Sequence, residues 1–308
     1  MAETIYIATI LTCFNRKDKT VECLRKFYEV CDSYNLHNAD GRILDVSVFL
    51  TDDGCTDGTA RAVKDISSGR DLHIVQGTGS LYWAGGMRAA WRVALEQGRH
   101  WQYYLLLNDD NIVMYNLFEQ LFAADNYSLD VYGKQGVYSG ITCDTKDNRI
   151  ITYGGDVFTS GARCKTERVR PTGMPQMVDM ANANIMFVPS CVVEKIGIFY
   201  DGYIHSGADN DYSMLARRQG FTVLVTGQAC GLCDYDHREE SDICKSMIGM
   251  TLAQRRAYVN NPLHSDHDYL LLVWRNNRKK YLASWILRKT RLYFPKLYFI
   301  LTMARGVY

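Results

Sequence analysis

The first half of the chain alternates short apolar runs rich in β-branched residues with longer segments of helical apolar spacing. Residues 5–12 (IYIATILT) are typical of a buried strand, and residues 17–30 after them have the period of an amphipathic helix. The alternation continues with strands predicted over 43–50, 72–75 and 103–107. Strands joined by helical crossovers run parallel in one sheet. The pattern therefore predicts an α/β fold with a doubly wound, mostly parallel sheet.

The second half of the chain is more mixed. Strands are predicted over 137–142, 149–158, 181–188 and 222–225, and a helix over 209–219. Residues 252–305 are predicted to be mostly helical. We therefore expect a mixed or antiparallel extension of the sheet, followed by a C-terminal helical region.

Acidic tripeptides follow two of the predicted parallel strands, Asp-Asp-Gly at 52–54 and Asn-Asp-Asp at 108–110. Ligands of doubly wound sheets bind at the carboxyl ends of the strands. Adjacent carboxylates repel each other unless a cation or hydrogen bonds compensate. A hard divalent cation completed by substrate phosphates is one solution. The alternatives are a glycine turn with an N-cap at 52–54, and a solvated turn capping a helix over 112–122.

Glycines and further carboxylates lie at the starts of two predicted helices. GTGS at 77–80 and Gly85-Gly86 surround the start of the helix predicted over 84–97. Glycine lets the backbone approach a ligand, and a helix N-terminus favours anions. The Walker and dinucleotide fingerprints are absent, which disfavours a simple ATPase or dehydrogenase. Asp209 and Asp211 open the later helix, where a carboxylate complements the helix dipole or serves as a general base.

Together these clusters resemble glycosyltransferase family 2, a family of inverting enzymes with the A-type fold. The resemblance covers about residues 5–237. Within the family, the chain most resembles bacterial transferases that build surface polysaccharides, including rhamnosyltransferase-like members. Five segments carry the resemblance, in the family's order and spacing: TCFNR at 12–16, DDGCTDGT at 52–59, AGGMR at 84–88, LNDD at 107–110 and GADND at 207–211.

The resemblance implies a role for each matching position. It places eight residues at the nucleotide-sugar: Thr12, Phe14, Asn15, Asp52, Asp53, Gly85, Gly86 and Asp109. It assigns Mn²⁺ or Mg²⁺ to Asp110, with His237 as a weaker ligand. It makes Asp209 the base that deprotonates an acceptor hydroxyl, on a saccharide or a lipid-linked saccharide. The sugar is then transferred in one displacement that inverts its configuration.

The chain departs from the family pattern at two positions. Asn108 stands where many members have the first Asp of an Asp-x-Asp motif, so the cation is expected mainly on Asp110. Ala208 replaces the usual acidic residue before the base, which leaves Asp211 as an alternative to Asp209. Two other functions remain open, a nucleotidyltransferase and an inactive sugar-nucleotide-binding homologue. A nucleotidyltransferase would need a Gly-rich segment after the first strand, where this chain has CFNRKDK.

The charge is unevenly distributed along the chain. Residues 275–308 contain nine Lys or Arg, no Asp or Glu and seven aromatic residues, whereas the 274 residues before them carry 26 basic and 34 acidic side chains. The net charge of +1 argues against nucleic-acid binding. A basic and aromatic segment is typical of helices lying on anionic membranes. Packing on the catalytic domain or on a second subunit is the alternative.

We expect a nucleotide-sugar-binding catalytic domain over 1–240 and a helical region over 241–308.

Cysteine usage and hydropathy bear on location. The ten cysteines are scattered, and the opening MAET lacks the basic start of a secretory leader. No run of about 18 uncharged apolar residues suggests a membrane span. We therefore expect free thiols and a cytoplasmic protein, peripheral on the inner face of the plasma membrane if the tail binds lipid. A zinc site at Cys230, Cys233, His237 and Cys244 is an alternative use of these residues.

Overall fold

The computed structural model describes residues 3–160, 165–235 and 240–304. Its strands are, in chain order, β1 (Glu3–Cys13), β2 (Arg42–Asp52), β3 (Asp71–Gln76), β4 (Tyr103–Leu107), β5 (Ile112–Val113), β6 (Gly136–Cys143), β7 (Ile151–Tyr153), β8 (Gly155–Ser160), β9 (Lys165–Arg168), β10 (Gln176–Met177), β11 (Met180–Ala181), β12 (Ile185–Pro189) and β13 (Thr222–Leu232). Its α-helices are α1 (Lys17–His37), α2 (Thr59–Ile66), α3 (Tyr82–Glu96), α4 (Leu117–Tyr132), α5 (Ser190–Ile196), α6 (Ala208–Arg218), α7 (Glu240–Gly249), α8 (Leu252–Asn260), α9 (Asp266–Asn276), α10 (Arg278–Tyr293) and α11 (Pro295–Ala304).

The central sheet confirms the predicted doubly wound half. Strands β3, β2, β1 and β4 are neighbours in that order and run parallel. The predicted mixed extension is confirmed as well. Strand β12 runs antiparallel between β4 and β6, and β13 continues the sheet parallel to β6. A small second sheet has the order β11-β8-β9. The carboxyl ends of β1, β2 and β4 therefore meet at one edge.

The helix predicted over 112–122 is wrong in its first turn. Ile112 and Val113 form a short strand whose partners are Leu232 and Gly231 of β13. Helix α4 therefore begins only at Leu117. Pairing with a strand more than a hundred residues later overrides the local helical spacing. The spacing of apolar residues in the sequence does not reveal this long-range pairing.

Two apolar layers enclose the central sheet. Successive side chains of a strand point to opposite faces, so Ile7 of β1 packs into the layer of Phe27 and Phe118 from α1 and α4. Ile10 points the other way, into the layer of Trp91 from α3. All five side chains are fully buried. The sheet is therefore covered on both faces, as expected for parallel strands with crossover helices.

The C-terminal helices stack on one another and on the catalytic half. Helix α9 contacts α6, α10 contacts α9, and α11 contacts α10 and α7. Met247, Val259 and Leu292 form a small separate apolar cluster there. None of the helices in the described residues combines the length and apolar character needed to cross a bilayer.

Helix α3 crosses the ends of β1 and β2 at Gly86. A Cβ at this glycine would lie 2.1 Å from Oγ1 and 2.7 Å from Cβ of Thr12. The carbonyl of Gly86 accepts the Thr51 hydroxyl at 2.7 Å. A Cβ at Gly85 would make a milder contact, 3.2 Å from Cβ of Leu81, the residue before α3. Packing therefore accounts for the glycine at 86, and the predicted donor contacts of both glycines stay predictions.

We expect Gly86→Ala to lower the free energy of unfolding by about 1–3 kcal/mol, the usual cost of overpacking a filled site. Denaturant unfolding measures the change. Gly249→Ala is the matched control, because a Cβ there would meet nothing within 4 Å. Adding Thr12→Ala should recover part of the loss, since the two positions are in contact. Equal stability of Gly86→Ala and wild type would contradict this packing account.

Candidate active site

The carboxylate of Asp53 holds the Gly-rich segment that leads into α3. Its Oδ1 accepts the backbone N–H of Gly79 at 2.8 Å. Its Oδ2 accepts those of Leu81 and Tyr82 at 2.9 and 3.1 Å. A Cβ at Gly77 would lie 2.6 Å from the Asp53 carboxylate, so only glycine allows this approach. Asp53 is 3% exposed, and these bonds fix the loop around it.

The loop after β1 is tied to the loop after β2. Asn15 has φ of 50°, a left-handed conformation that asparagine tolerates better than most residues. Its side-chain oxygen accepts the backbone N–H of Thr56 at 2.8 Å, and its own N–H points at Cys55 Sγ, 3.2 Å away. The neighbouring Phe14 ring remains 53% exposed at this edge. An exposed aromatic ring at this edge is compatible with the predicted contact of Phe14 with the nucleotide-sugar.

Asp52 lies beside two thiols. Its Oδ1 accepts the backbone N–H of Cys55 at 2.7 Å, and the Sγ atoms of Cys13 and Cys55 are 3.7 Å apart. The three side chains are close enough together to share a metal ion. Burial is the largest cause that raises the pKa of both thiols, and that of Cys13 lies far above its usual range. Protonated thiols are poor ligands, and Mn²⁺ and Mg²⁺ prefer oxygen. This cluster therefore does not suit the predicted cation.

Asp109 is a buried carboxylate at the end of β4. It is 4% exposed, and its Oδ2 accepts the Thr20 hydroxyl at 2.9 Å. Its Oδ1 lies 3.2 Å from Nη1 of Arg16. Burial raises the pKa of Asp109 to about 6, with the charge of Asp110 acting in the same direction, while Arg16 and Thr20 oppose the shift. Two adjacent carboxylates here therefore need positive charge.

Arg16 supplies positive charge to both carboxylates, since its second amino group bonds Asp110. Asp110 lines a cavity of about 170 Å³ together with Lys19, Glu22 and Asp234. Within the described residues no third carboxylate lies close enough to Asp109 and Asp110 to share an ion with them, so the acidic pair itself is the part of this site that suits a hard divalent cation. Arg16 belongs to the TCFNR motif, but the motif alone implies no role for it. Only the fold brings it to Asp109 and Asp110, which lie more than ninety residues later.

Asn108, where the family pattern has an Asp, is bonded within the protein. Its side-chain oxygen accepts the indole N–H of Trp83 at 2.8 Å. Its backbone N–H donates to the carbonyl of Asn184 at 3.0 Å, which also accepts Nδ2 of Asn111 at 2.8 Å. The segment before β12 thus holds the acidic turn in place.

Asp209, the predicted base, is the second residue of α6 and follows Gly207, whose φ is +79°. Its Oδ2 accepts the backbone N–H of Ala183 at 3.0 Å, and its Oδ1 accepts that of Asn210 at 2.9 Å. Burial raises the pKa of Asp209, and the backbone hydrogen bonds oppose that shift. A carboxylate with a raised pKa has greater proton affinity, which suits a general base.

Asp211, the alternative base, has a different environment. It is 2% exposed, and its two oxygens accept Nε of Arg275 at 2.8 Å and Nδ2 of Asn276 at 2.7 Å. Both partners belong to α9. Asp211 therefore joins α6 to the C-terminal helices, whereas the oxygens of Asp209 accept backbone N–H groups within the catalytic half.

Two sequence-based predictions concern residues beyond these. His237 lies outside the described residues. Within residues 3–160, 165–235 and 240–304, Cys230, Cys233 and Cys244 do not come close enough to share a zinc ion. Cys233 instead lies beside the acidic turn, with its Sγ 3.8 Å from Oδ1 of Asp110.

The family assignment rests on more than half of the chain. Residues 9–185 match the family described as glycosyl transferase family 2. The chain therefore belongs to glycosyltransferase family 2 and is a glycosyltransferase, which confirms the resemblance seen in the motifs. The match favours glycosyl transfer over the nucleotidyl transfer that the sequence alone left open. None of the curated proteins compared with this chain matches its sequence.

Solved structures share the fold of this chain. Residues 1–349 of S. aureus TarS in complex with UDP-GlcNAc align with a TM-score of 0.51 and 15% identity, over 90% of this chain and 73% of that one. The mannosyltransferase PcManGT from Pyrobaculum calidifontis, in complex with GDP-Man and Mn²⁺, aligns with a TM-score of 0.51 and 13% identity, over 98% and 80%. At such identities the likeness concerns the fold, and the predicted A-type fold is confirmed.

Proposed function

We propose that this glycosyltransferase transfers a sugar from a nucleoside-diphosphate sugar to an acceptor hydroxyl with inversion, in the synthesis of a bacterial surface polysaccharide. The observation that carries the proposal is a bridge at residues 183 and 184. The N–H of Ala183 holds Asp209, and the carbonyl of Asn184 holds the turn that contains Asp109 and Asp110. A candidate base and a candidate cation site are thereby fixed relative to each other.

The donor is proposed to lie along the shared edge of β1, β2 and β4. Support comes from the placement of the eight residues that the motifs assign to it: Thr12, Phe14, Asn15, Asp52, Asp53, Gly85, Gly86 and Asp109. They lie at or just after the ends of β1, β2 and β4, or in the first turn and a half of α3. The related folds were solved with UDP-GlcNAc and with GDP-Man, so a nucleotide-sugar is the class of ligand to test first.

Asp110 would hold Mn²⁺ or Mg²⁺, with His237 as a further candidate ligand. When bound, the cation would neutralise the departing diphosphate as a Lewis acid. Arg16 already balances the charge of the acidic pair through bonds to both carboxylates. Asp110 thus carries a positive partner even without a cation, and Thr20 and Arg16 keep Asp109 in its buried position.

Asp209 is proposed to accept the proton of the acceptor hydroxyl on a carboxylate oxygen. Its backbone hydrogen bonds orient the carboxylate, and burial keeps its pKa raised, so it takes up a proton more readily than a solvated aspartate. Attack opposite the departing diphosphate forms the new bond in one step, with no covalent intermediate on the protein.

The chain is proposed to consist of a catalytic domain over residues 1–240 and a C-terminal region over 241–308 with a membrane-facing surface. Several apolar side chains on α10 and α11 are exposed, at spacings that place them on one face of each helix. We call this set the C-terminal apolar face: Leu282 (65% exposed), Trp285 (41%), Ile286 (50%), Leu297 (48%) and Ile300 (62%). Such a face fits the headgroup region of a membrane.

The basic residues of the tail are not all available for lipid. Arg275 is bonded to Asp211, and Arg291, only 3% exposed, is bonded to Asp266. Lys289 lies over the Trp285 ring, 5.6 Å from its centroid, at the C-terminal apolar face. We propose attachment to the anionic inner face of the plasma membrane. Its electrostatic part then rests on fewer charges than the nine counted in the sequence.

Binding of the donor is tested by thermal shift with UDP-, GDP- and dTDP-sugars, with and without Mn²⁺. The nucleotide that stabilises the protein indicates the donor, since ligand at 100 times its Kd adds about 2.7 kcal/mol. We expect Asp110→Ala to lose the Mn²⁺-dependent part of the shift. The control is Asp32→Ala on α1, which removes an exposed carboxylate paired with Arg70. This variant should retain the Mn²⁺-dependent part of the shift. Undiminished Mn²⁺-dependent nucleotide affinity in Asp110→Ala would reject the cation site.

We expect Asp209→Asn to lower turnover by roughly two to four orders of magnitude, the usual contribution of a positioned base. Nucleotide affinity should remain nearly unchanged, because the substitution keeps the shape of the side chain. Asp211→Asn should lower the melting temperature and reduce turnover much less than Asp209→Asn does, since it weakens the pair with Arg275 but leaves the base in place. Steady-state kinetics and nucleotide titration separate these effects. Loss of turnover in Asp211→Asn alone would move the base to position 211.

Membrane attachment is tested by sedimentation with anionic and neutral liposomes. We expect binding to anionic liposomes that weakens with salt, because exposed charges are screened within about 8 Å at physiological ionic strength. Replacing Trp285 and Ile286 by serine should reduce binding. Leu36→Ser on α1, at a side chain 78% exposed, is the control. Equally negligible binding to both kinds of liposome would reject the proposal. If the wild-type protein is instead a dimer and the serine variant is a monomer, the C-terminal apolar face binds a second copy of the chain.

A further inference from the structure

A buried carboxylate of α9 holds the loop that leads to Asp209. Asp268 is 1% exposed, and its Oδ1 accepts the backbone N–H of Ile204 at 3.1 Å. Its Oδ2 accepts those of His205 and Ser206 at 2.8 and 2.9 Å. Three successive N–H groups thus converge on one carboxylate. Despite its burial, the pKa of Asp268 is lowered by these bonds and by the adjacent His267.

The same helix also holds the residues on either side of this loop. Beyond it in the chain, Asp211 is bonded to Arg275 and Asn276. Before it, the ring of Tyr200 lies beneath Arg275, with 3.9 Å between the guanidinium carbon and the ring centroid. Arg275 therefore contacts both ends of segment 200–211, and Asp268 contacts its middle. Asp209 lies within the segment that α9 holds.

The opposite side of the loop contacts α3, near the predicted donor site. Arg88 donates to the carbonyl of Tyr200 at 3.2 Å, and its Nε lies 3.2 Å from the carboxylate of Asp201. The rings of Tyr82 and His205 meet edge to face at 6.3 Å between centroids. The loop therefore connects the N-terminal part of α3 with the N-terminus of α6. Its position sets the distance between the donor side and Asp209.

We propose that Asp268 and Arg275 are positioning residues that fix Asp209 for its reaction with the acceptor hydroxyl. The C-terminal region thereby completes the acceptor side of the active site. The inference rests on the proposed role of Asp209 as the base. A base must lie within hydrogen-bond reach of the proton it takes. A displacement of about 1 Å costs on the order of 100-fold in rate, so the loop's anchor affects turnover without touching substrate.

The test compares Asp268→Asn and Asp268→Ala with Asp266→Asn. Asp266 is on the same helix, but its ion pairs are with Arg288 and Arg291 of α10. We expect kcat to fall about 10- to 100-fold in both Asp268 variants, with Mn²⁺-dependent nucleotide affinity and the KM for the donor unchanged. Asp266→Asn should keep wild-type kcat. A parallel loss of nucleotide affinity, or wild-type kcat in both Asp268 variants, would overturn the positioning role.

A double-mutant cycle with Asp209→Asn separates positioning from general destabilisation. If Asp268 acts through Asp209, adding Asp268→Asn to Asp209→Asn should cause little further loss of kcat. An equal fold loss in both backgrounds would overturn the inference alone. Wild-type turnover in Asp209→Asn would instead reject the proposed base. If Asp268→Ala fails to fold, Asn276→Ala replaces it, because this change removes one bond of Asp211 and leaves Asp268 intact. Asn276→Ala should also lower kcat while the affinity for the donor is kept. Wild-type kcat in Asn276→Ala would count against the inference.

Discussion

Carboxylates concentrated at one edge of the sheet are the constraint on which the rest of this structure depends. Backbone N–H groups stabilise Asp53, through the segment before α3, and Asp209, through residues 183 and 210. Residues 204–206 hold Asp268 of α9 in the same way. Each bond set fixes a loop as well as a charge, since charge-assisted bonds to a carboxylate are stronger than neutral ones. The loops around the predicted site are therefore ordered by the acids themselves.

Asp109 and Asp110 differ from those three carboxylates. Arg16, a long side chain that is about one-third exposed, balances their charge, and the Thr20 hydroxyl donates a hydrogen bond to Asp109. A partly exposed side chain is a partner that a cation could replace, whereas backbone N–H groups within a loop are not. Asp53, Asp209 and Asp268 therefore fix the loops of the site, whereas Asp109 and Asp110 form a pair in which a cation could take the place of Arg16. This difference is the physical reason for proposing the cation at Asp110 rather than at Asp53.

Local patterns were sufficient to predict the sheet and the residues at its edge. The strands at β1, β2 and β4 have clear periods, and their ends place Thr12, Asp52 and Asp109 together without further information. Partners far apart in sequence were not predictable. Arg16 meets Asp110, and Asp268 meets residues 204–206, only because the chain folds back on itself. The same reason applies to the short strand β5, where pairing with β13 replaced the expected first turn of a helix.

The tail shows why counting charges says little about a surface. Arg275 and Arg291 are two of the nine Lys and Arg residues counted over 275–308, and the structure pairs both with carboxylates. Most of the side chains that remain exposed on α10 and α11 are apolar. Helix α9 contacts α6 through the bonds of Asp211 with Arg275 and Asn276, and its Leu271 and Leu272 pack against the core of the catalytic half. Because α9 touches α6 on one side and α10 on the other, one helix links the proposed membrane face to the loop that carries Asp209. The placement of that loop then depends on residues outside the matched segment 9–185, which no motif in the catalytic half indicates.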